Sequence, residues 1–261
     1  MVQKEEWKTD AGKISRMAVR LLYPPRCPLC DRVRPLKESP FSLVCGDCRG
    51  KLPWVTEPAC MKCGKPVGSP EREFCEDCER MRHLFDQGRA AFTYSGSMRK
   101  SVYRMKFQNR RDYLDFYAEA MVRASEGYLS YWQPEVTVPI PMHWKKRAAR
   151  GYNQAELLAE RISCLTGIPC ERKLLRCVRY TGDQKKLSRN ERLQNLRGSF
   201  EVSMPPKRRR ILLVDDVYTT GSTMDEAAGV LRAAGARQLF FLVLCTGKGK
   251  KSLHDTKSVL Y

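Results

Sequence analysis

Apolar and polar positions follow two different rhythms along the chain, and the change falls near residue 82. From Glu135 onward, short apolar runs alternate with segments of helical period. "EVTVPIP" from Glu135, "RILLVDD" from Arg210 and "QLFFLVLCT" from Gln238 read as strands. "NQAELLAERISCLTG" reads as a helix that Asn153 caps and Gly167 closes. "TMDEAAGVLRAAG" from Thr223 is a second helix, with Gly235 just past its end. Strands alternating with helices predict a parallel sheet covered by helices on its faces. Ahead of these, "AAFTYSG" from Ala90 predicts a strand running into a turn. "MRKSVYRMKF" and "DYLDFYAEAMVRAS" predict amphipathic helices, and "SFEVS" from Ser199 a short strand. The stretch between Cys177 and Ser199 is polar, basic and unpatterned, as an active-site loop is.

Upstream of residue 82 the helical period is lost. Residues 25–82 are rich in cysteine and proline, with only short strand-like pieces. Before them, Ile14, Met17, Ala18, Leu21 and Leu22 recur at helical spacing until Pro24-Pro25. Three parts follow: an N-terminal amphipathic helix (1–24), a Cys-rich module (25–82) and an α/β domain (83–261). The 261 residues are 42% apolar, enough for a substantial core. The longest apolar run, "LFFLVLC", is far shorter than the roughly 18 residues a membrane helix needs. "MVQKEEWKTD" carries acids where a secretory signal has a basic stretch, so a cytoplasmic protein is expected. The last residues, "GKGKKSLHDTKSVLY", read as a basic tail.

Twelve cysteines change the picture of the module. Eight form four Cys-x-x-Cys knuckles: Cys27/Cys30, Cys45/Cys48, Cys60/Cys63 and Cys75/Cys78, with 14, 11 and 11 residues between successive knuckles. Two knuckles complete a tetrahedral sulfur shell around zinc, so two structural Zn²⁺ sites are predicted. Sequential pairing is the simpler arrangement, and spacing alone leaves an interleaved one open. Full shells leave no position for substrate. His83 follows the last knuckle and reads as a surface histidine. Cys164, Cys170, Cys177 and Cys245 read as buried thiols.

The candidate chemistry lies in "ILLVDDVYTTGST", Ile211–Thr223. In an open parallel sheet, ligands bind beyond the carboxyl ends of the strands. Asp215 and Asp216 fall at that rim, able to accept hydrogen bonds from vicinal hydroxyls such as those of a ribose. The run that follows opens a helix, whose first N–H groups lack partners and favour an anion. Gly221 lets backbone approach closely, and Thr219, Thr220, Ser222 and Thr223 add hydroxyl donors. The pattern predicts a phosphate cradle beside two sugar-binding acids.

This stretch resembles the phosphoribosyl pyrophosphate signature of type I phosphoribosyltransferases. With the knuckles upstream, and with "RGYNQAELLA" from Arg150, Gln184 and "RNERLQNLRGSF" from Arg189, the chain resembles the ComF family of competence proteins. That resemblance implies a type I phosphoribosyltransferase-like sheet preceded by a double zinc ribbon. It implies that Asp215 and Asp216 contact the ribose hydroxyls and Thr219, Thr220, Gly221, Ser222 and Thr223 hold the 5-phosphate. It also implies Mg²⁺, bound mainly through the ligand's own oxygens, and a role in handling DNA during natural transformation, with DNA-translocation or competence proteins as partners.

The formal charge of +19 favours an anionic partner. Lys145, Lys146, Arg147 and Arg150, after the strand at Glu135, form a basic loop expected at the same rim. There they would neutralise a pyrophosphate. Arg189 and Arg192, with Lys185, Lys186 and Arg197, are expected in a second basic loop able to close over it. Single-stranded DNA is a competing use of this charge. Tyr103, Phe107, Tyr113 and Phe116 interleave with Arg104, Lys106, Arg110 and Arg111, as in stacking platforms, although helical spacing also suits a core. Alternatives to a transferase are a non-catalytic ligand-sensing or DNA-binding module on the same scaffold, and a nucleobase salvage enzyme. The salvage reading lacks a base-recognising hood.

Overall fold

The structure, a computed structural model, describes residues 24–34, 43–181 and 194–247. The predicted N-terminal helix, the basic tail, and Gln184, Lys185, Lys186, Arg189 and Arg192 lie outside the described residues. Two short helices sit in the cysteine knuckles, α1 (Gly46–Arg49) and α2 (Glu76–Arg80). There follow β1 (Gln87–Thr93), α3 (Gly96–Phe107), a 3₁₀ turn (Arg111–Tyr113), α4 (Leu114–Trp132) and β2 (Val136–Pro139). Next are α5 (Trp144–Arg150), α6 (Gln154–Thr166), β3 (Leu175–Cys177) and β4 (Phe200–Val202). The chain then runs through β5 (Arg210–Tyr218), α7 (Ser222–Ala233) and β6 (Gln238–Thr246).

Four of these strands form one parallel sheet in the order β1-β6-β5-β2. The central strands β5 and β6 are apolar on both faces because both faces are covered. Leu212, Val214, Phe240 and Leu242 share a core with α3, α4 and α6. Ile211, Leu213, Phe241 and Val243, offset by one residue, share the other core with Met224, Ala227, Ala228 and Leu231 of α7. Each such side chain contributes roughly 1.5–3 kcal/mol on burial. The predicted parallel sheet between helices is therefore what forms, and β5 and β6 carry its interior.

The cysteine module does not stand apart from this sheet. Cys27, Leu29, Val44 and Cys48 belong to the α3–α4 core, whereas Cys60, Cys63 and Cys75 belong to the α7 core. The segment between the two ribbons lies along the open edge of β1. There the Val55 N–H donates to the Ala91 carbonyl at 2.9 Å and the Thr93 N–H to Pro53 at 2.8 Å. This covers an edge strand that would otherwise offer unpaired backbone groups. Residue 82 marks a change of composition, but both cores extend across it.

Several local expectations need correction. The basic stretch at Lys145–Arg150 is a short helix rather than a loop. The His143 ring caps it by accepting from the Lys145 N–H, and Gly151 closes it at φ +84°. It has no buried residue, so no apolar period announced it. β5 runs two residues past the expected end at Asp216, to Tyr218, which pairs with Thr246, so the two acids lie within its last four residues. Tyr218 sustains it by stacking on Phe241, centroids 4.8 Å apart. Tyr113 and Phe116 are core residues, but Tyr103 and Phe107 are half exposed. His83 is buried, not on the surface. Of the four unpaired thiols only Cys245 is buried; Cys164 is exposed and Cys170 and Cys177 lie between. No helix among the described residues is long and apolar enough to cross a membrane.

Candidate functional site

The eight knuckle cysteines gather into two groups, Cys27/Cys30/Cys45/Cys48 and Cys60/Cys63/Cys75/Cys78. In each, all four sulfurs lie within 4.8 Å of one another. The pairing is therefore sequential, and the interleaved alternative is excluded. Cys30 and Cys45 sulfurs are 3.8 Å apart, and Cys63 and Cys75 sulfurs 3.6 Å. A tetrahedral shell with Zn–S near 2.3 Å requires sulfurs about 3.8 Å apart. Both sets fit structural zinc, and neither includes a histidine or carboxylate.

The acid pair sits at the carboxyl end of β5. Asp216 is buried on the side of α3 and α6. Lys106, at the end of α3, places its ammonium 2.6 Å from Asp216 Oδ2, and Gln154, first residue of α6, donates to the same oxygen at 2.8 Å. Asp215 accepts the Asp216 N–H at 2.8 Å. Burial pushes the Asp215 carboxyl up from the usual carboxylate range to about 7, and the adjacent Asp216 charge adds to the shift. The Asp216 N–H, Lys106 and Arg150 oppose it. The site thus holds two carboxylates in unlike surroundings, one paired with a cation and one short of countercharge.

Beyond Tyr218 the chain turns through Thr219 and Thr220 to Gly221, which adopts φ +87° and caps α7. A Cβ at Gly221 would lie 2.8 Å from His83 Cε1 and 2.8 Å from the Tyr218 hydroxyl. Conformation and space both demand glycine there. Thr220 and Ser222 hydroxyls are 2.9 Å apart. The Asp225 N–H, returning to the Gly221 carbonyl at 2.8 Å, completes the first turn of α7.

The basic residues divide. Arg150 donates to Gln154 Oε1 at 2.9 Å and stacks on Phe107 at 5.2 Å, so it joins the acids. Arg147 pairs with Glu156 at 3.0 Å instead. Lys145 lies over the rings of Trp144 and Tyr180, and Lys146 over Tyr180. Sequence reasoning took Lys106 only as a possible nucleic-acid contact and did not single out Gln154 within its motif. Nothing in the local pattern ties either to Asp216, since both contacts cross elements distant in sequence.

These features define a class: a double zinc ribbon joined to a phosphoribosyltransferase-type domain. The double zinc ribbon domain matches residues 18–79, and the phosphoribosyl transferase domain residues 148–260. Competence protein F of Haemophilus influenzae is 30% identical over 217 residues, 76% of this chain and 95% of that protein. Competence protein ComFC of Bacillus subtilis is 33% identical over 203 residues, 75% of this chain and 80% of that protein. The DNA utilization protein YhgH of Salmonella typhi is 29% identical over 192 residues, 71% of this chain and 83% of that protein. The chain belongs to the ComF family of competence proteins.

Proposed function

We propose that this chain binds phosphoribosyl pyrophosphate with Mg²⁺ at the β5–α7 junction and handles single-stranded DNA during natural transformation. The observation that carries the reading is the placement of Asp215 and Asp216 near the carboxyl end of a central parallel strand, whose following turn leads into a glycine-capped helix. In this reading Asp215 and Asp216 accept hydrogen bonds from the ribose hydroxyls. The Thr219–Thr223 turn holds the 5-phosphate, and Arg150 faces the pyrophosphate side, with Lys145, Lys146, Arg147, Arg189 and Arg192 as further cations. Mg²⁺ would be held mainly by the ligand's oxygens, where it offsets phosphate charge. If turnover occurs, the bond from the anomeric carbon to pyrophosphate breaks and a bond to the acceptor forms. The two carboxylates then stabilise the positive charge that develops on the ring.

The DNA part is supported by the names of the relatives and by two exposed aromatic–cation groups. Tyr103 and Phe107 lie with tilted rings, centroids 5.0 Å apart, beside Arg150, and Trp144 and Tyr180 flank Lys145. Such groups stack on bases while cations follow phosphates. They also favour a second reading, binding without turnover, in which a DNA 5-phosphate enters the same turn. A cytoplasmic location and contacts with other competence or DNA-translocation proteins belong to the proposal. Cysteine sets without disulfides among the described residues suit a reducing compartment. A scan of nucleobases and oligonucleotides for released pyrophosphate separates the two readings. Release with any acceptor supports the transferase. No release together with salt-sensitive strand binding supports the binding module, and binding of neither ligand sinks both.

A further inference from the structure

The turn that would hold the 5-phosphate is fastened from beneath by the second zinc ribbon. Lys65 lies two residues past Cys63, and its backbone carbonyl accepts the Cys60 N–H at 2.8 Å, closing that knuckle. Its ammonium donates to the Thr219 carbonyl at 3.1 Å and pairs with Asp77, inside the second knuckle, at 2.6 Å. One side chain therefore ties both knuckles of the ribbon to the first residue of the turn. The peptide unit is planar and trans, so its C=O and N–H point in opposite directions. Holding the Thr219 carbonyl toward the ribbon aims the Thr220 N–H away from it, to the side where an anion would sit.

His83, where the chain leaves the ribbon, holds the other end of the turn. Its Nδ1 is 2.6 Å from Asp225 Oδ2, and the Leu84 N–H donates to Asp225 Oδ1 at 2.8 Å. Asp225 lies in the first turn of α7 and its own N–H returns to Gly221. The ring stacks on Phe85, centroids 4.7 Å apart, and fills the space where a Gly221 side chain would lie. Its side chain has no exposed surface, and Nε2 has no partner among the described residues. A buried imidazole fixed by a carboxylate and a ring stack is a rigid wall for the backbone above it.

We propose that Lys65 and His83 are positioning residues for the phosphate-binding turn, so that the second ribbon sets affinity for the 5-phosphate of the ligand. The inference rests on the sugar-phosphate reading given above. It makes the ribbon part of the binding apparatus rather than an attached stabiliser. The first ribbon makes no contact of this kind among the described residues.

Three probes test it on the full chain with zinc content verified: ribose 5-phosphate, Mg²⁺–phosphoribosyl pyrophosphate and Mg²⁺–pyrophosphate. Lys65→Met should weaken the two sugar phosphates tenfold or more and leave pyrophosphate within twofold. Lys65→Arg should recover part of the loss. Arg72→Met, which removes an exposed pair with Glu79 in the same ribbon, should change none of the three. Should Lys65→Met lose zinc or fold, Lys65→Gln and His83→Gln carry the same expectation at smaller amplitude. Unchanged ribose 5-phosphate affinity in a folded variant overturns the inference. So does equal weakening of all three probes, which marks a purely structural role. Wild-type protein that binds no sugar phosphate overturns the underlying reading as well.

Discussion

Lys106 and Asp216 meet at 2.6 Å, joining the end of α3 to the carboxyl end of the central strand β5. Asp216 is buried, and this cation and the Gln154 amide both satisfy its Oδ2 inside the fold. They also hold its carboxylate at the helix-covered side of the rim, while Asp215 faces poorer compensation one residue earlier.

Removing the cation should be costly. Among the described residues, Lys106→Met leaves the Asp216 side chain the Gln154 hydrogen bond alone, and it should destabilise the protein by about 2–4 kcal/mol. Gln154→Ala should cost about 1 kcal/mol. Denaturant unfolding near neutral pH measures both. A Lys106→Met variant as stable as wild type would mean that Asp216 does not depend on this pair.

Asp215 predicts a pH dependence of known sign. Its folded pKa lies above the unfolded value, so the protonated form is favoured by folding. That contribution is complete below about pH 4 and is lost as pH rises through about 7. Asp215→Asn should therefore gain stability relative to wild type above pH 7, by on the order of 1 kcal/mol or more, and weaken sugar-ligand binding. Thermal unfolding between pH 5 and 8 checks the first part, and a gap between the two proteins that does not widen with pH contradicts it.

Gly221→Ala combines a strained backbone with two contacts too close for a methyl group. A left-handed conformation at a non-glycine residue costs roughly 1–3 kcal/mol, and the turn must shift to admit the methyl. Reduced stability of that size, with lost affinity for ribose 5-phosphate, is expected in calorimetry. Wild-type values for both would mean that the turn accommodates the side chain.

Chelation should unfold more than the ribbons. Cysteines of the two zinc sets lie in the two cores that also hold β5 and β6. Structural zinc can supply on the order of 10 kcal/mol per site. Stripping the metal should thus lower the unfolding temperature of the whole domain in one transition. A separate early transition with the sheet intact would show that the ribbons fold independently.

Much of this architecture could be read from the chain, for physical reasons that differ by element. β5 and β6 announce themselves because strands buried on both faces are apolar throughout. The N-cap at Asn153 and the closure at Gly167 are local chemistry, and the structure has both, with Asn153 accepting the Ala155 N–H at 3.1 Å. The knuckles fix their own metal because each pair of thiolates is local, and only the pairing between knuckles awaited three dimensions. What stayed hidden is what depends on packing across the sheet. α5 buries no residue, so it left no period to detect. His83 looks like any exposed polar residue until Asp225 and Phe85 enclose it. Lys106 reads as one more cation on a basic helix until Asp216 meets it. Tyr103 and Tyr113 share one helical spacing, yet one is half exposed and the other is in the core.

The central claim is that a sugar phosphate docks where β5 passes into α7. Calorimetric titration of Mg²⁺–phosphoribosyl pyrophosphate into wild-type protein and into the Asp215→Asn, Asp216→Asn double variant tests it most directly. Saturable binding by wild type that falls at least a hundredfold in a folded double variant is the predicted result. Equal affinity in the two proteins, or no binding by wild type, would contradict it.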